Sequence, residues 1–253
     1  MHTVRDAITL CGVNNVQLWQ GRTKAQRIAA DIFSDDFESA RDLDYDDVTD
    51  DFKSYSDLTV ANGQIRLNPG SKRNIRAFIQ WSKHMFRLGL APATVPFPVA
   101  DTASLLRQEQ SHSQFVKKSK TIVESAKPGR LTSETKWHDW KPVFSNFLRS
   151  IPGRDGVPLS YVIRPNDLPD PTPHLDVLDD YVAMAPVNGE AYVSDAKEVH
   201  TYLVKFITGN PVSESKLQPH LNATDGRVDF KALVNHYEGV GINSVDILRA
   251  DRI

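Results

Sequence analysis

The sequence predicts an all-α protein: a small helical bundle over residues 1–90, a proline-rich linker over 91–100, and a larger helical domain over 101–253. Three observations lead there. Apolar residues recur three or four positions apart in segment after segment, the period that gathers side chains on one face of a helix. Thr132 to Arg164 concentrates that pattern: Trp137, Trp140, Phe144, Phe147, Leu148 and Ile151 share one helical face before Pro152-Gly153 breaks the run. Two proline-rich stretches, Leu90–Pro98 and Asn166–Pro173, punctuate the helices as connections.

Composition narrows the class. With 40% hydrophobic and 25% charged residues over 253 positions, the chain can bury a full core and is globular rather than disordered. No apolar run approaches the ~20 residues of a membrane span. The N-terminal MHTVRDAITLCGV is too polar for a secretory leader. Cys11 is the only cysteine, which excludes an internal disulfide and a multi-cysteine zinc site. It fits a reducing compartment, cytosol or nucleus, and a cytoplasmic protein without membrane contact is expected. The net charge of −2 says less than its distribution.

The first sixty residues read as short helices. Val4, Ile8, Leu10 and Cys11 end at Gly12, and Val16, Leu18 and Trp19 end at Gly21. Ala25, Ile28, Ala29, Ile32 and Phe33 form an amphipathic helix that Thr23 can start. From Asp31 to Asp57 stand eleven acids against Arg41 and Lys53. Asp42, Asp44 and Asp46 alternate as in a calcium loop. An EF-hand, however, needs glycine at its sixth position and glutamate at its twelfth, where Asp47 and Lys53 stand. Tyr45, Val48, Phe52 and Tyr55 recur at helical spacing, so the acids are expected on a solvated helix face.

The charge then reverses. Arg66, Lys72, Arg73, Arg76, Lys83 and Arg87 follow with no acid among them. Ser71 can cap the helix after Pro69-Gly70, with Ile75, Phe78, Ile79, Trp81, Met85 and Phe86 as its apolar side. Two roles are open to this basic helix. It can pair with the acidic helix just before it, or its first N–H groups beside Lys72, Arg73 and Arg76 can hold a phosphate. The glycine spacing before Lys72 is not that of a Walker loop.

Beyond the linker, Asp101–Gln108 and about Ser113–Ala126 read as two helices, the second carrying Lys117, Lys118 and Lys120. Thr132 or Thr135 can cap the aromatic helix. Pro142 in its interior would cost about 3 kcal/mol. A restart near Asp139 would put that proline in the first turn, where no N–H partner is needed. Val157–Ile163 reads as an extended apolar run. Leu175, Leu178, Tyr181, Val182 and Met184 form a stripe ending at Pro186. Ser194 or Asp195 can cap a helix of Val199, Tyr202, Leu203, Phe206 and Ile207 that closes at Gly209-Asn210-Pro211. Leu217 and Leu221 lie in a shorter helix, and Asp225–Gly239 is a compact amphipathic one. A last helix from about Ser244 runs uncapped to Ile253, so the chain is expected to be the N-terminal piece of a longer polypeptide.

Reactive chemistry has little to build on. The eight histidines include no helical i, i+4 pair of the zinc-protease kind. His200 and His236 read as surface or buried hydrogen-bonding residues. Asp179 and Asp180, adjacent on a helix, point about 100° apart and do not share a metal. GxSxG, CxxC and GxGxxG motifs are lacking. No catalytic residue, metal ligand or cofactor is assigned, and an enzyme would need a site assembled from scattered residues.

Several long strings carry a resemblance: DFKSYSDLTVANGQIRLNPGSKRNIRAFIQW (Asp51 to Trp81), KWHDWKPVFSNFLRSIPGRDGVPLSYVIR (Lys136 to Arg164), LDDYVAMAP (Leu178 to Pro186), EVHTYLVKFITGN (Glu198 to Asn210) and DGRVDFKALVNHYEGVGINSVDI (Asp225 to Ile247). As a set they resemble the Gag (capsid-region) polyprotein of Copia-type LTR retrotransposons, in its divergent algal form. The W-x-x-W pair Trp137 and Trp140 and the A-L-x-x-H-Y-E-G segment are similar to helices of that capsid fold. The resemblance implies that residues 101–253 form a capsid-like helical domain, C-terminally truncated. It also implies a non-enzymatic shell protein that self-associates and encloses the RNA of a transposable element. The chain lacks the CCHC knuckle of a complete Gag and any protease, integrase or reverse-transcriptase signature. The helices before Leu90 are similar only in layout to SAM-like five-helix bundles.

Trp137, Trp140, Phe144 and Phe147, with no reactive group beside them, read as packing or interface residues, and the resemblance makes them the main packing face of the capsid-like domain. The competing expectation is a nucleic-acid-binding module acting through segments 66–87 and 117–120, with Arg66, Lys72, Arg73, Arg76, Lys117, Lys118 and Lys120 as its contacts.

Overall fold

A computed structural model describes residues 2–13, 22–43, 57–60 and 63–239, with 57–60, 63–66 and 120–125 described through their backbone alone. The helices expected at Val16–Gly21, across Tyr45–Tyr55 and from Ser244 to Ile253 lie outside the described residues. The fold is helical, as the periodicity predicts, and divides into two compact units, Met1–Ser111 and His112–Ile253.

The first unit holds α1 (Val4–Leu10), α2 (Lys24–Phe33), α3 (Phe37–Asp42), an antiparallel hairpin of β1 (Asp57–Val60) and β2 (Gly63–Arg66), α4 (Pro69–Arg87), and the start of α5 (Thr102–Ser125). Thr3 and Thr23 start α1 and α2 through capping boxes closed by Asp6 and Gln26. Gly12, at φ +80°, takes the left-handed turn that ends α1. The hairpin is an addition to the expected helices; Leu58 pairs with Ile65 across it. The core centres on Phe78 of α4, fully buried, with Phe33 and Phe97 set edge-on to it at ring distances of 5.5 and 5.7 Å.

Two expectations are corrected here. Asn68, not Ser71, caps α4: its side chain accepts the Ser71 N–H at 2.7 Å, and the Ser71 hydroxyl donates instead to the Gly12 carbonyl at 3.0 Å. The 91–100 stretch, expected as a linker or a fixed connection, is fixed. Its Phe97 is 4% exposed, sits between Phe78 and Trp81, and belongs to the core of the first unit together with Leu105. The division falls instead at Ser111/His112, inside α5, which is one continuous helix where two were expected. An aromatic ring amid prolines has more area to bury than a connection can leave in water.

The second unit contains the rest of α5, then α6 (Trp137–Arg149), a 3₁₀ turn (Leu159–Ile163), α7 (Val177–Met184), α8 (Gly189–Ile207), α9 (Pro211–Leu217) and α10 (Gly226–Glu238). The 3₁₀ turn is its hub and touches α6, α7, α8 and α10. Val157–Ile163 is therefore not an extended run beyond its first two residues. Pro158 bridges back to Pro152, and Leu159, Tyr161, Val162 and Ile163 are then all buried, which a strand with one open face would not achieve.

Helix α6 starts at Trp137, two residues before the expected restart, and contains Pro142 in its second turn. Neither Thr132 nor Thr135 caps it; the two bond to each other in the preceding turn. Burial explains the choice. Trp137 and Trp140 are each 4% exposed, and a helix from Asp139 would leave Trp137 off the shared face. Burying Trp137, worth about 3 kcal/mol, together with its stack on Tyr237 and its bond to Glu238, offsets a proline cost of about 3 kcal/mol. Leu175 drops out of the α7 stripe, which starts at Val177 with Asp176 as its cap. Helix α8 begins at Gly189, so Ser194 and Asp195 lie within it and do not cap it.

Candidate functional site

The central feature of the second unit is an aromatic ladder. Tyr237 of α10 stacks on Trp137 at 4.8 Å and 12°, Trp137 on Trp140 at 5.7 Å, and Trp140 on Phe144 at 4.7 Å and 10°. Phe206 of α8 then meets Phe144 and Phe147 edge-on, at 6.2 and 5.5 Å. Both indoles are satisfied: Trp137 Nε1 donates to Glu238 and Trp140 Nε1 to the Gly129 carbonyl. Lys141 donates to both oxygens of Glu238 at 2.9 and 3.0 Å. Burial works against the Glu238 carboxylate, and the bonds from Lys141 and Trp137 hold it below the ordinary range. All four residues expected as packing or interface, Trp137, Trp140, Phe144 and Phe147, are thus buried within the unit.

Around the ladder stand buried charges. Arg227, 6% exposed, donates to the Val162 carbonyl at 2.7 Å, to the Asn166 carbonyl at 3.1 Å and to Asp167. Arg164 donates to the Val182 and Ala183 carbonyls at 3.1 and 2.8 Å. These guanidiniums satisfy carbonyls that the short turns leave open. Asp195, buried on α8, accepts from the Arg154 N–H at 2.8 Å and the Tyr161 hydroxyl at 3.0 Å. Burial pushes its carboxyl up to about 6, with those two donors pulling the other way. Gly153 packs against that carboxyl so closely that any Cβ there would collide with it. His200 Nδ1 hydrogen-bonds to one Asp229 oxygen at 2.5 Å, while the second Asp229 oxygen is buried without a partner. Burial also raises the Asp229 carboxyl, with His200 opposing.

Beside the ladder a cleft of about 640 Å³ opens between α6, the 3₁₀ turn, α7 and α10. Ile163, Val182, Phe230 and Val234 make it apolar, and Lys141 and Lys231 stand among its polar residues. The Ser160 hydroxyl, also lining the cleft, is buried with no partner.

The basic residues fall in different units. Lys72, Arg73 and Arg76 lie on the first turns of α4; Lys117 and Lys118 are exposed on the second-unit part of α5. The side chains of Arg66 and Lys120 lie outside the described residues. The start of α4 offers little to a phosphate. Pro69 has no N–H, and the Ser71 and Lys72 N–H groups are both bonded to Asn68. Arg76 pairs with Glu109 of α5 at 3.3 Å. Acidic α3 packs along α4, with Arg41 over the Phe86 ring at 5.0 Å. The Arg41 hydrogen bond lowers the Asp42 carboxyl, and the charge of Lys83 adds to the effect.

Among the described residues no group of three or more metal-binding side chains is found, and no helix is long and apolar enough to cross a membrane. Asp195 is expected only as a helix cap, and Arg227 and Asp229 carry no expected role in the sequence. A signal existed: Asp195 precedes Val199 by four and Asp229 precedes Leu233 by four, which puts each acid on an apolar stripe. Comparison with protein families, curated proteins and solved structures finds no match for the chain.

Proposed function

We propose that this chain is a Gag-like structural protein of a Copia-type retrotransposon, non-enzymatic and cytoplasmic, which self-associates into a capsid-like shell around the element's RNA. One observation carries the reading. The W-x-x-W and H-Y-E-G strings, on which the resemblance leans most, stand a hundred residues apart in sequence yet meet directly. Trp137 stacks on Tyr237 and donates to Glu238, which Lys141 also grips. Segments recognised separately thus form one packing unit, as segments of a shared fold should. Exposed apolar side chains on the second unit, Leu168, Leu175, Val193 and Val212, supply material for contacts between copies.

RNA contact in this proposal runs through exposed Lys117 and Lys118 with Lys120, and through Arg73 in the first unit. Such contact is dominated by phosphate charge, so its affinity falls steeply with salt. The test is to purify the chain with a generic single-stranded RNA, image it by electron microscopy, and treat it with nuclease. Closed particles that protect the RNA are expected. Dispersed protein with RNA fully digested at every protein concentration would overturn the proposal. Reversing Lys117 and Lys118 to glutamate should leave particles intact while lowering RNA content.

A further inference from the structure

We propose that the strap from Pro165 to Asp176 of one copy docks in the α6–α10 cleft of a second copy, and that the exchange is reciprocal. The inference rests on the self-association proposed above and names the surface that carries it.

The strap has no regular structure and four prolines, Pro165, Pro169, Pro171 and Pro173. It is nevertheless pinned along its length. Asp167 is held by Arg227 and Lys231, and the Asp170 N–H donates to the Ala183 carbonyl at 3.1 Å. The His174 N–H donates to Asp180 at 2.8 Å, and Asp176 caps α7 and receives Arg149 at 3.1 Å. Fixed in this way, the strap turns both its leucines to water. Leu175 is fully exposed and Leu168 is 79% exposed, the two most exposed large apolar side chains among the described residues. A segment already held by prolines and hydrogen bonds loses little freedom on docking, the condition under which a short apolar anchor binds well.

The cleft supplies the complement. Ile163, Val182, Phe230 and Val234 offer an apolar, partly aromatic surface, and Lys141, Arg164 and Lys231, set against the one acid Glu238 that Lys141 already grips, leave its polar lining net positive. The strap carries Asp167, Asp170 and Asp176. Lys231 already binds Asp167 of its own strap at 2.6 Å, so a lysine of this cleft does accept an acid of this strap. The strap's own leucines do not fill the cleft beside them, since both face solvent. Because Pro165 is itself part of the cleft wall, donor and acceptor surfaces adjoin. A two-fold axis can therefore place each strap in the other's cleft and close the pair.

The test uses full-length chains carrying one added cysteine each, Leu175→Cys in one preparation and Asn235→Cys, an exposed cleft residue, in a differently tagged one. Cys11, the only native cysteine, is buried and burial raises its thiol far above the reactive range, so it does not interfere. Mixing under mild oxidation should give the mixed-tag disulfide dimer, at least tenfold over a control pairing Asn235→Cys with Val193→Cys, an exposed position on α8. The Leu168→Asp/Leu175→Asp double variant, which changes only exposed side chains, should raise the dimer dissociation constant tenfold or more with circular dichroism unchanged. A chain that still self-associates, with no selective cross-link and no response to the double variant, would overturn the strap and leave the shell proposal standing. A wild-type chain that is monomeric throughout would overturn both.

Discussion

Trp140→Ala tests whether the aromatic ladder is a core or an interface. Trp140 is 4% exposed and stacks on Phe144 at 4.7 Å and on Trp137 at 5.7 Å, while its indole N–H donates to the Gly129 carbonyl at 2.8 Å. Truncating a buried aromatic to alanine costs about 3–5 kcal/mol through lost transfer energy and the cavity left behind. The indole hydrogen bond adds about 1 kcal/mol. A typical domain is stable by only about 5–15 kcal/mol, so the variant should lose a large share of the second unit's stability. Trp140→Phe keeps the stack, loses the hydrogen bond and should cost about 1–2 kcal/mol. Urea denaturation followed by far-ultraviolet circular dichroism reads both. Should Trp140→Ala stay within about 1 kcal/mol of wild type and instead abolish self-association, the ladder would be an interface and the packing described above would be wrong.

Two further outcomes follow from the same unit. The Asp195 carboxyl titrates near 6 in the folded chain against about 3.9 for an ordinary aspartate, so the native state binds more protons between those values. Stability should therefore rise as pH falls from about 6 to about 4, and the cost of the buried carboxylate should be fully present above 6. About two units at ~1.4 kcal/mol each make that cost roughly 3 kcal/mol. Asp195→Asn, which can still accept from Arg154 and donate to the Tyr161 hydroxyl, should flatten this part of the profile in urea titrations at stepped pH. An unchanged slope would mean that another group produces it. Thr224, a β-branched residue at φ +47°, precedes the cap of α10. Thr224→Gly should stabilise the chain by about 0.5–1 kcal/mol by releasing left-handed strain, read as a higher melting temperature; a lower one would contradict this.

Much of the fold was legible because helices announce themselves by period. Phe78, Ile79, Trp137, Phe144, Val199 and Leu233 are buried, each on a stripe read from spacing alone. The misses share a physical cause. Spacing reports which residues share a face, but not which carbonyls or amides that face must satisfy. Asp195 and Ser71 look like helix caps by type, yet tertiary neighbours claim them: Arg154 and Tyr161 for the first, Gly12 for the second. Pro142 looks like a helix start, yet the demand to bury Trp137 overrides it. Phe97, in a stretch that its prolines mark as a connection, is core because a ring cannot be left in water cheaply. The cleft was invisible for a further reason: α6, α7 and α10 each contribute to it, and no single segment carries its pattern.

The most direct test of a self-associating shell protein is its mass as a function of concentration. Static light scattering of the wild-type chain, from micromolar to millimolar and at low and high salt, should show a weight-average mass that climbs well above the 28.4 kDa of one chain. The rise should persist at high salt, because buried apolar contacts are not screened. A mass that stays at one chain across the whole range, in both salts, would contradict the account.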